Sequence, residues 1–358
     1  MNNTIKNRGA VSNPTGRFEK TQRSEFDDGW DKYHDDAAIL SPLETILIKE
    51  PAKSIITYND SPDIGFDQAI NPYRGCEHGC IYCYARPAHG YMNLSSGLDF
   101  ETKIFYKPEA AQLLQTELAK SSYQCKPIVL GSNTDPYQPV ESQQKITRSL
   151  LEVLNKTNHP VVIITKSSLI ERDLDILQSM AARNLAKVAV SITTLSLALK
   201  QIMEPRTATP KARLKVIQTL SSAGIPVRVM AAPMIPMIND FELEKILEFA
   251  KKAGASTAGY TLIRLPHEVK DLFKEWLAKH FPERAEHVMS LVKQMRNGKE
   301  YDTTFGKRMR GEGQLAQLLA ARFQLACKKL GFVDGPNPLS TNQFTPPKPF
   351  SKQLDLFD

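Results

Sequence analysis

The sequence predicts an α/β protein: a partial (β/α)6 TIM-like barrel with an N-terminal extension, C-terminal helices and a disordered tail. Three observations predict it. From about residue 66, short β-branched runs alternate with longer helical patterns, the signature of βα units on a parallel sheet. Proline opens and glycine closes several of the helical stretches. The units number about six, short of the eight that close a full barrel.

The elements follow in order. Residues 1–60 form an arm and extension, with Arg8, Arg17, Lys20 and Arg23 first, an acidic stretch from Glu25 to Asp36, and short apolar runs at Ile46–Ile48 and Ile55–Tyr58. Residues 61–265 form the barrel. Its expected strands are Ala69–Tyr73, Lys103–Tyr106, Pro127–Gly131, Val161–Thr165, Lys187–Ile192, Val227–Ala231 and Ala258–Leu262. Its expected helices are Pro108–Lys120, Glu141–Asn155, Glu171–Arg183, Pro210–Ala223 and Phe241–Ala253. Pro108 and Pro210 sit at first helical positions, and Gly224 and Gly254 sit where C-terminal caps belong. Residues 266–334 add two amphipathic helices, Val269–Lys279 and Gly313–Leu330. Residues 335–358 are proline-rich and polar, which predicts a flexible, disordered tail.

Composition excludes several classes. The 46 Lys and Arg exceed the 39 Asp and Glu, giving a net charge of +7 that favours polyanionic partners. The longest apolar stretch, Ile225 to Ile238, holds Arg228 and three prolines, so it falls short of the ~18 apolar residues of a membrane span. The opening MNNTIKNRGA lacks the apolar core of a signal peptide. Of five cysteines, three fall within eight residues, which is a metal-binding pattern rather than a disulfide framework. A cytoplasmic protein without a membrane partner is expected.

The loop Asn71 to Tyr84 carries the strongest signal. Cys76, Cys80 and Cys83 stand in C-x3-C-x2-C spacing directly after the first barrel strand, and Gly75 and Gly79 let the backbone curl. Three thiolates on so short a loop converge on one soft metal centre. Iron–sulfur clusters normally take four cysteines; three leave one iron open to a small chelating molecule. A structural zinc with His78 or His89 as fourth ligand, or cysteines that only pack, are the other readings of these residues.

The segment GCEHGCIYCYAR, with Tyr82 before the last cysteine, resembles the radical-SAM superfamily, and within it the branch of spore photoproduct lyase and "DNA repair photolyase" proteins. The opening NRGAVSNPTGRFE resembles the start of a bacterial subgroup of that branch. The resemblance implies a [4Fe–4S] cluster held by Cys76, Cys80 and Cys83, with S-adenosyl-L-methionine on the open iron. It further implies an electron donor to the cluster and a 5′-deoxyadenosyl radical that abstracts a substrate hydrogen.

In a parallel barrel the loops after the strands gather at one face, where strand ends supply the remaining contacts. The loop Gly131 to Tyr137 is polar there, and the resemblance implies that Thr134 and Asp135, with Tyr84, contact S-adenosylmethionine. An Asx-type turn that only caps the next helix is the alternative. Lys166 ends the apolar run Val161 to Thr165, so its charge would point to the open face; the resemblance makes it a ligand of the methionyl carboxylate, the alternative being a solvated strand end. Ser191 is carried over likewise. Arg206 is a candidate phosphate or carboxylate clamp, or the ion-pair partner of Glu204. One departure stands out: Ser132 falls where the lyase has a cysteine that returns a hydrogen atom. A hydroxyl O–H is too strong a bond for that role. Cys125 precedes its strand and Cys327 lies on a late helix, so the lyase reaction itself is not carried over.

The last residues, Gln353-Leu354-Asp355-Leu356-Phe357, resemble the bacterial sliding-clamp-binding motif, behind a proline-rich tether. The alternative is a tail that folds back onto its own barrel. Together these features lead to an expected radical-SAM enzyme acting on DNA, in repair or base modification, and tethered to the clamp. RNA, a peptide or a metabolite is the alternative substrate, and a metal-stapled binding protein is the non-catalytic alternative.

Overall fold

Alternation along the strands decides which side each residue faces. In Val161–Thr165, Val161, Ile163 and Thr165 are buried while Val162 and Ile164 are half-buried, so one face packs under helices and the other looks into the barrel. The computed structural model describes residues 8–19, 43–333 and 338–348. The strands are β1 (Ile46–Lys49), β2 (Ile56–Tyr58), β3 (Gln68–Ile70), β4 (Tyr73–Arg74), β5 (Lys103–Tyr106), β6 (Ile128–Leu130), β7 (Val161–Thr165), β8 (Ala186–Ser191), β9 (Val227–Met234) and β10 (Thr257–Leu262). The helices are α1 (Leu98–Thr102), α2 (Ala110–Leu118), α3 (Glu141–Gln144), α4 (Ile146–Lys156), α5 (Leu174–Ala181), α6 (Leu197–Met203), α7 (Pro210–Ser222), α8 (Leu243–Lys252), α9 (Val269–His280), α10 (Ala285–Gln294) and α11 (Gly313–Leu330).

The main sheet runs β10-β9-β8-β7-β6-β3-β2, with parallel pairing from β3 to β10 and β2 antiparallel on the edge. Six parallel strands is the expected number. The edges β10 and β2 do not pair with each other, so the barrel is partial. Register aligns Ile163, Val188 and Val227 across the outer face, where they join the main core with Leu150, Leu177, Ile217 and Ile246 from the helices. Ile164, Ala189 and Arg228 align on the inner face.

Lys103–Tyr106 is a strand, but not of the barrel. As β5 it pairs parallel with β1 and antiparallel with β4 in a separate three-stranded sheet. The barrel position beside β3 is taken by β6, in register Gln68↔Ile128 to Ile70↔Leu130. The C-terminal region holds a third helix, α10, whose Val288, Met289 and Val292 join the second apolar cluster with Phe273 and Trp276 of α9.

The expected disordered tail is corrected over 338–348. Ser340 N–H donates to Asn184 O at 3.0 Å and Thr345 N–H to Thr157 O at 2.9 Å. Phe344 packs its ring 5.6 Å from Tyr123 and 5.3 Å from His159. One aromatic anchor and a run of backbone hydrogen bonds outweigh the polar composition. The clamp-like residues Gln353, Leu354, Asp355, Leu356 and Phe357 lie outside the described residues.

Candidate functional site

The three-cysteine loop follows β3 at the C-terminal ends of the barrel strands. Cys76 N–H donates to Phe100 O at 2.9 Å, Gly79 N–H to Cys76 O at 3.3 Å, and Cys83 N–H to Cys80 O at 3.2 Å, which winds the loop into consecutive tight turns. Gly79 has φ +65, and a Cβ on it would lie 2.7 Å from Glu101 Oε2. Cys76 and Cys80 are buried, Cys83 is partly exposed, and all three are free thiols. Burial lifts the Cys76 thiol far above its ordinary pKa, with Asp135 and the other two thiols adding to it. Burial also lifts Cys80 to about 12, against the pull of the Lys166 ammonium. Any metal bound here must therefore displace protons.

The N-terminal arm is part of this site. Glu101 Oε2 accepts from Gly9 N–H at 2.9 Å, and its Oε1 accepts from Ala10 N–H at 2.8 Å and from Arg86 Nη2 at 2.5 Å. Ala10 shares an apolar cluster with Cys80, Ile81 and Tyr82. A Cβ on Gly9 would fall 1.7 Å from Gly79 O, so the two glycines let one chain lie flat on the other. The arm is pinned further on by Arg17 to Glu268 at 2.7 Å and by Phe18 beside Tyr91, ring centroids 5.4 Å apart. No periodicity in the sequence announces this strap.

The structure brings the sequence-predicted residues to one face of the barrel. Tyr84 is 43% exposed, its hydroxyl donating to Ser132 O. Thr134 is buried and donates to Tyr73 O at 2.9 Å. Asp135 is a brace: Oδ1 accepts from Tyr137 N–H at 2.9 Å and from Thr165 Oγ1 at 2.8 Å. Its Oδ2 accepts from Lys166 N–H at 2.7 Å and lies 3.3 Å from His78 Nδ1. Burial pushes its pKa up, yet His78 and the donated N–H groups hold the carboxyl at about 2. The bond to Tyr137 N–H is the Asx-type turn, and the other contacts bind the cysteine loop to the end of β7.

Lys166 reaches over Tyr82, Nζ 5.9 Å from the ring centroid, and its Nζ has no hydrogen-bond or ion-pair partner among the described residues. Burial lowers its pKa, but Cys80 and Glu204 more than reverse this. Ser191 ends β8, and its carbonyl accepts from Arg213 Nη1 at 2.9 Å. Arg206 pairs with Glu77 at 3.0 Å rather than with Glu204. Glu204 instead accepts from Arg213, from the Tyr82 hydroxyl and from Thr193 Oγ1 at 2.8 Å, all buried. His78 is engaged by Asp135, and His89 Nε2 is hydrogen-bonded to Lys103 O at 3.0 Å. Glu101 and Arg213 were not singled out from the sequence, and Glu204 was named only as a partner for Arg206, because nothing in the local pattern says which charged side chains are buried together.

Known proteins share this layout. The profile described as "Radical SAM superfamily" matches residues 70–250. A protein of Mycobacterium tuberculosis, named only as uncharacterized, is 34% identical over 230 residues, covering 64% of this chain and 68% of its own. A protein of Methanocaldococcus jannaschii, likewise named, is 28% identical over 248 residues, covering 69% and 88%. Among solved structures, spore photoproduct lyase complexed with dinucleoside spore photoproduct superposes with a TM-score of 0.56 at 15% identity, covering 79% of each chain. At that identity the likeness is one of fold.

Proposed function

This chain belongs to the radical SAM superfamily, and from that premise we propose that it is a radical-SAM enzyme acting on DNA, in a repair or base-modification reaction. The family is one of enzymes whose cofactors are a [4Fe–4S] cluster and S-adenosylmethionine. When bound, they supply one-electron reductive cleavage of the sulfonium and hydrogen-atom abstraction from a substrate.

The donor set fits the cluster. Cys76, Cys80 and Cys83 are free, adjacent in one tight loop, and close enough for Cys76 to feel the charge of the other two. A cubane cluster spreads its thiolates over separate irons, which three cysteines on one loop can serve. We assign Cys76, Cys80 and Cys83 to the cluster. Lys166, whose ammonium has no hydrogen-bond or ion-pair partner among the described residues, with Ser191 and Tyr84, is assigned to S-adenosylmethionine. Thr134 and Asp135 serve the same site through the backbone they hold, Asp135 by fixing Lys166 and His78 relative to each other.

The observation that carries the reading is the three-cysteine loop at the mouth of a partial parallel barrel whose strand-end lysine is uncommitted. The DNA substrate is supported by the net charge of +7 and by the fold shared with a protein solved with a dinucleoside lesion. The clamp-like Gln353 to Phe357 supports recruitment to replicating DNA. A base inside a duplex would have to be extruded to reach the mouth. Ser132 stands beside Tyr84, and its hydroxyl cannot replace a thiol hydrogen donor, so the reaction proposed is not the lyase's own. An electron donor completes the system, and the cytoplasm is the expected compartment. Among the described residues no helix is long and apolar enough to cross a membrane.

The test has three arms. Protein reconstituted anaerobically with iron and sulfide, then given reductant and S-adenosylmethionine, is expected to release 5′-deoxyadenosine; a fully loaded cluster that releases none refutes the enzyme class. Comparison of DNA nucleosides from cells with and without the protein is expected to reveal a changed base. A change confined to RNA nucleosides would replace DNA with RNA. Removal of residues 353–357 is expected to abolish clamp pull-down, and retention of clamp by the truncated chain would end the recruitment claim.

A further inference from the structure

Arg264 follows β10 at the same barrel face as the cysteine loop, and its guanidinium lies 4.8 Å from the centroid of the Tyr84 ring. Buried arginines Arg86, Arg213 and Arg296, and half-buried Arg308, have strong acceptors. Arg86 is on Glu101, Arg213 on Glu204, Arg308 on Asp63 at 2.5 Å, and Arg296 on the carbonyls of Lys307 and Ile263, both at 2.8 Å. Arg264 has none of these. Its Nε is buried with no acceptor. Among the described residues Nη1 meets only the Met309 sulfur at 3.5 Å, and Nη2 only the Tyr301 hydroxyl at 3.3 Å.

A guanidinium carries five N–H donors in a planar fork and accepts nothing, so a half-buried one without a carboxylate or carbonyl is an unfilled site for an oxyanion. The Tyr84 ring lies against the guanidinium, and the two Nη atoms meet only weak, neutral acceptors that an oxyanion could displace. Tyr84 is itself tied to Ser132, so the arginine is held relative to the loop after β6. The sheet thus carries a charged, fork-shaped donor just after β10, three strands along the sheet from β7, which Lys166 follows.

We propose that Arg264 binds a phosphate oxyanion of the substrate at the barrel mouth. The phosphodiester as its source rests on the nucleic-acid reading above; the oxyanion site itself does not. Phosphate contacts of this kind fix register without reading sequence, so Arg264 sets how far the substrate chain enters and which base reaches the site.

The experiment uses cluster-loaded protein, wild type, Arg264→Gln and Arg264→Lys, with three probes: inorganic pyrophosphate, a short single-stranded DNA oligonucleotide, and S-adenosylmethionine. Arg264→Gln is expected to weaken pyrophosphate and oligonucleotide binding at least tenfold and to lower the log–log salt slope for the oligonucleotide by about 0.7. Arg264→Lys is expected to keep that slope while losing part of the affinity, because the charge remains and the fork does not. S-adenosylmethionine affinity is expected to hold. Pyrophosphate binding unchanged in a folded Arg264→Gln protein overturns the proposal. So does a loss confined to S-adenosylmethionine, which would make the oxyanion the cofactor's carboxylate. Should Arg264→Gln fail to fold, Arg264→Lys with unaltered affinity for both anionic probes also overturns it. Pyrophosphate bound through Arg264 with no affinity for DNA sustains the site and refutes the DNA substrate.

Discussion

Replacing Gly9 with alanine adds one methyl group where the arm lies on the cysteine loop. The new Cβ would sit 1.7 Å from Gly79 O, so the arm must retreat by roughly 1.5 Å to reach van der Waals contact. The hydrogen bonds from Gly9 and Ala10 to Glu101, now 2.9 and 2.8 Å, then stretch beyond bonding range. Each is a bond to a charged acceptor worth about 1.5–3 kcal/mol. With water returning to the freed N–H groups, and Arg86 still on Glu101, the expected loss is about 3 kcal/mol. Urea denaturation of the cluster-free protein measures it. In parallel, the reconstituted Gly9→Ala protein is expected to lose its visible absorption in air several times faster than wild type, since Ala10 would no longer cover Cys80. A variant that matches wild type in denaturation midpoint and in cluster lifetime would show that the arm contributes nothing to the loop, and the reasoning fails.

Three further outcomes are expected. Cys80→Ala should abolish the iron content and visible absorption of the reconstituted protein while leaving far-ultraviolet circular dichroism intact; a normal spectrum would remove Cys80 from the ligand set. Arg213→Met strands the buried Glu204 carboxylate and should cost about 3–5 kcal/mol by denaturation, whereas Arg213→Met with Glu204→Leu should recover much of that; equal losses in both would refute the account. Burial holds the pKa of His159 at about 4, while the unfolded imidazole titrates near 6.5. Its contribution is therefore complete above about pH 6.5 and is lost as the pH falls towards 4, at up to about 1.4 kcal/mol per pH unit. His159→Gln should flatten the stability curve in that window, and an unchanged slope would contradict it.

The barrel was legible because its periods are local. Val161 to Thr165 announces a buried strand by composition, and Pro210 with Gly224 frames a helix. The cysteine loop was legible because three cysteines fall within eight residues. Pairing partners were less so: nothing within Lys103–Tyr106 says that its neighbours are β1 and β4 rather than barrel strands. The site's inner supports were hidden for a similar reason. Glu101 meets Gly9 across 92 positions, and Tyr82 meets Glu204 across 122. Asp135 shows the limit most plainly: the sequence marks its loop as polar, and only coordinates reveal that its oxygens are turned onto Tyr137, Thr165, Lys166 and His78.

Residues 338–348 run past Thr157 and Asn184, in the connections that enter β7 and β8. That is the rear of the barrel, so this segment braces the entry to the sheet, with Phe344 on Tyr123 and His159, at the end opposite the cysteine loop.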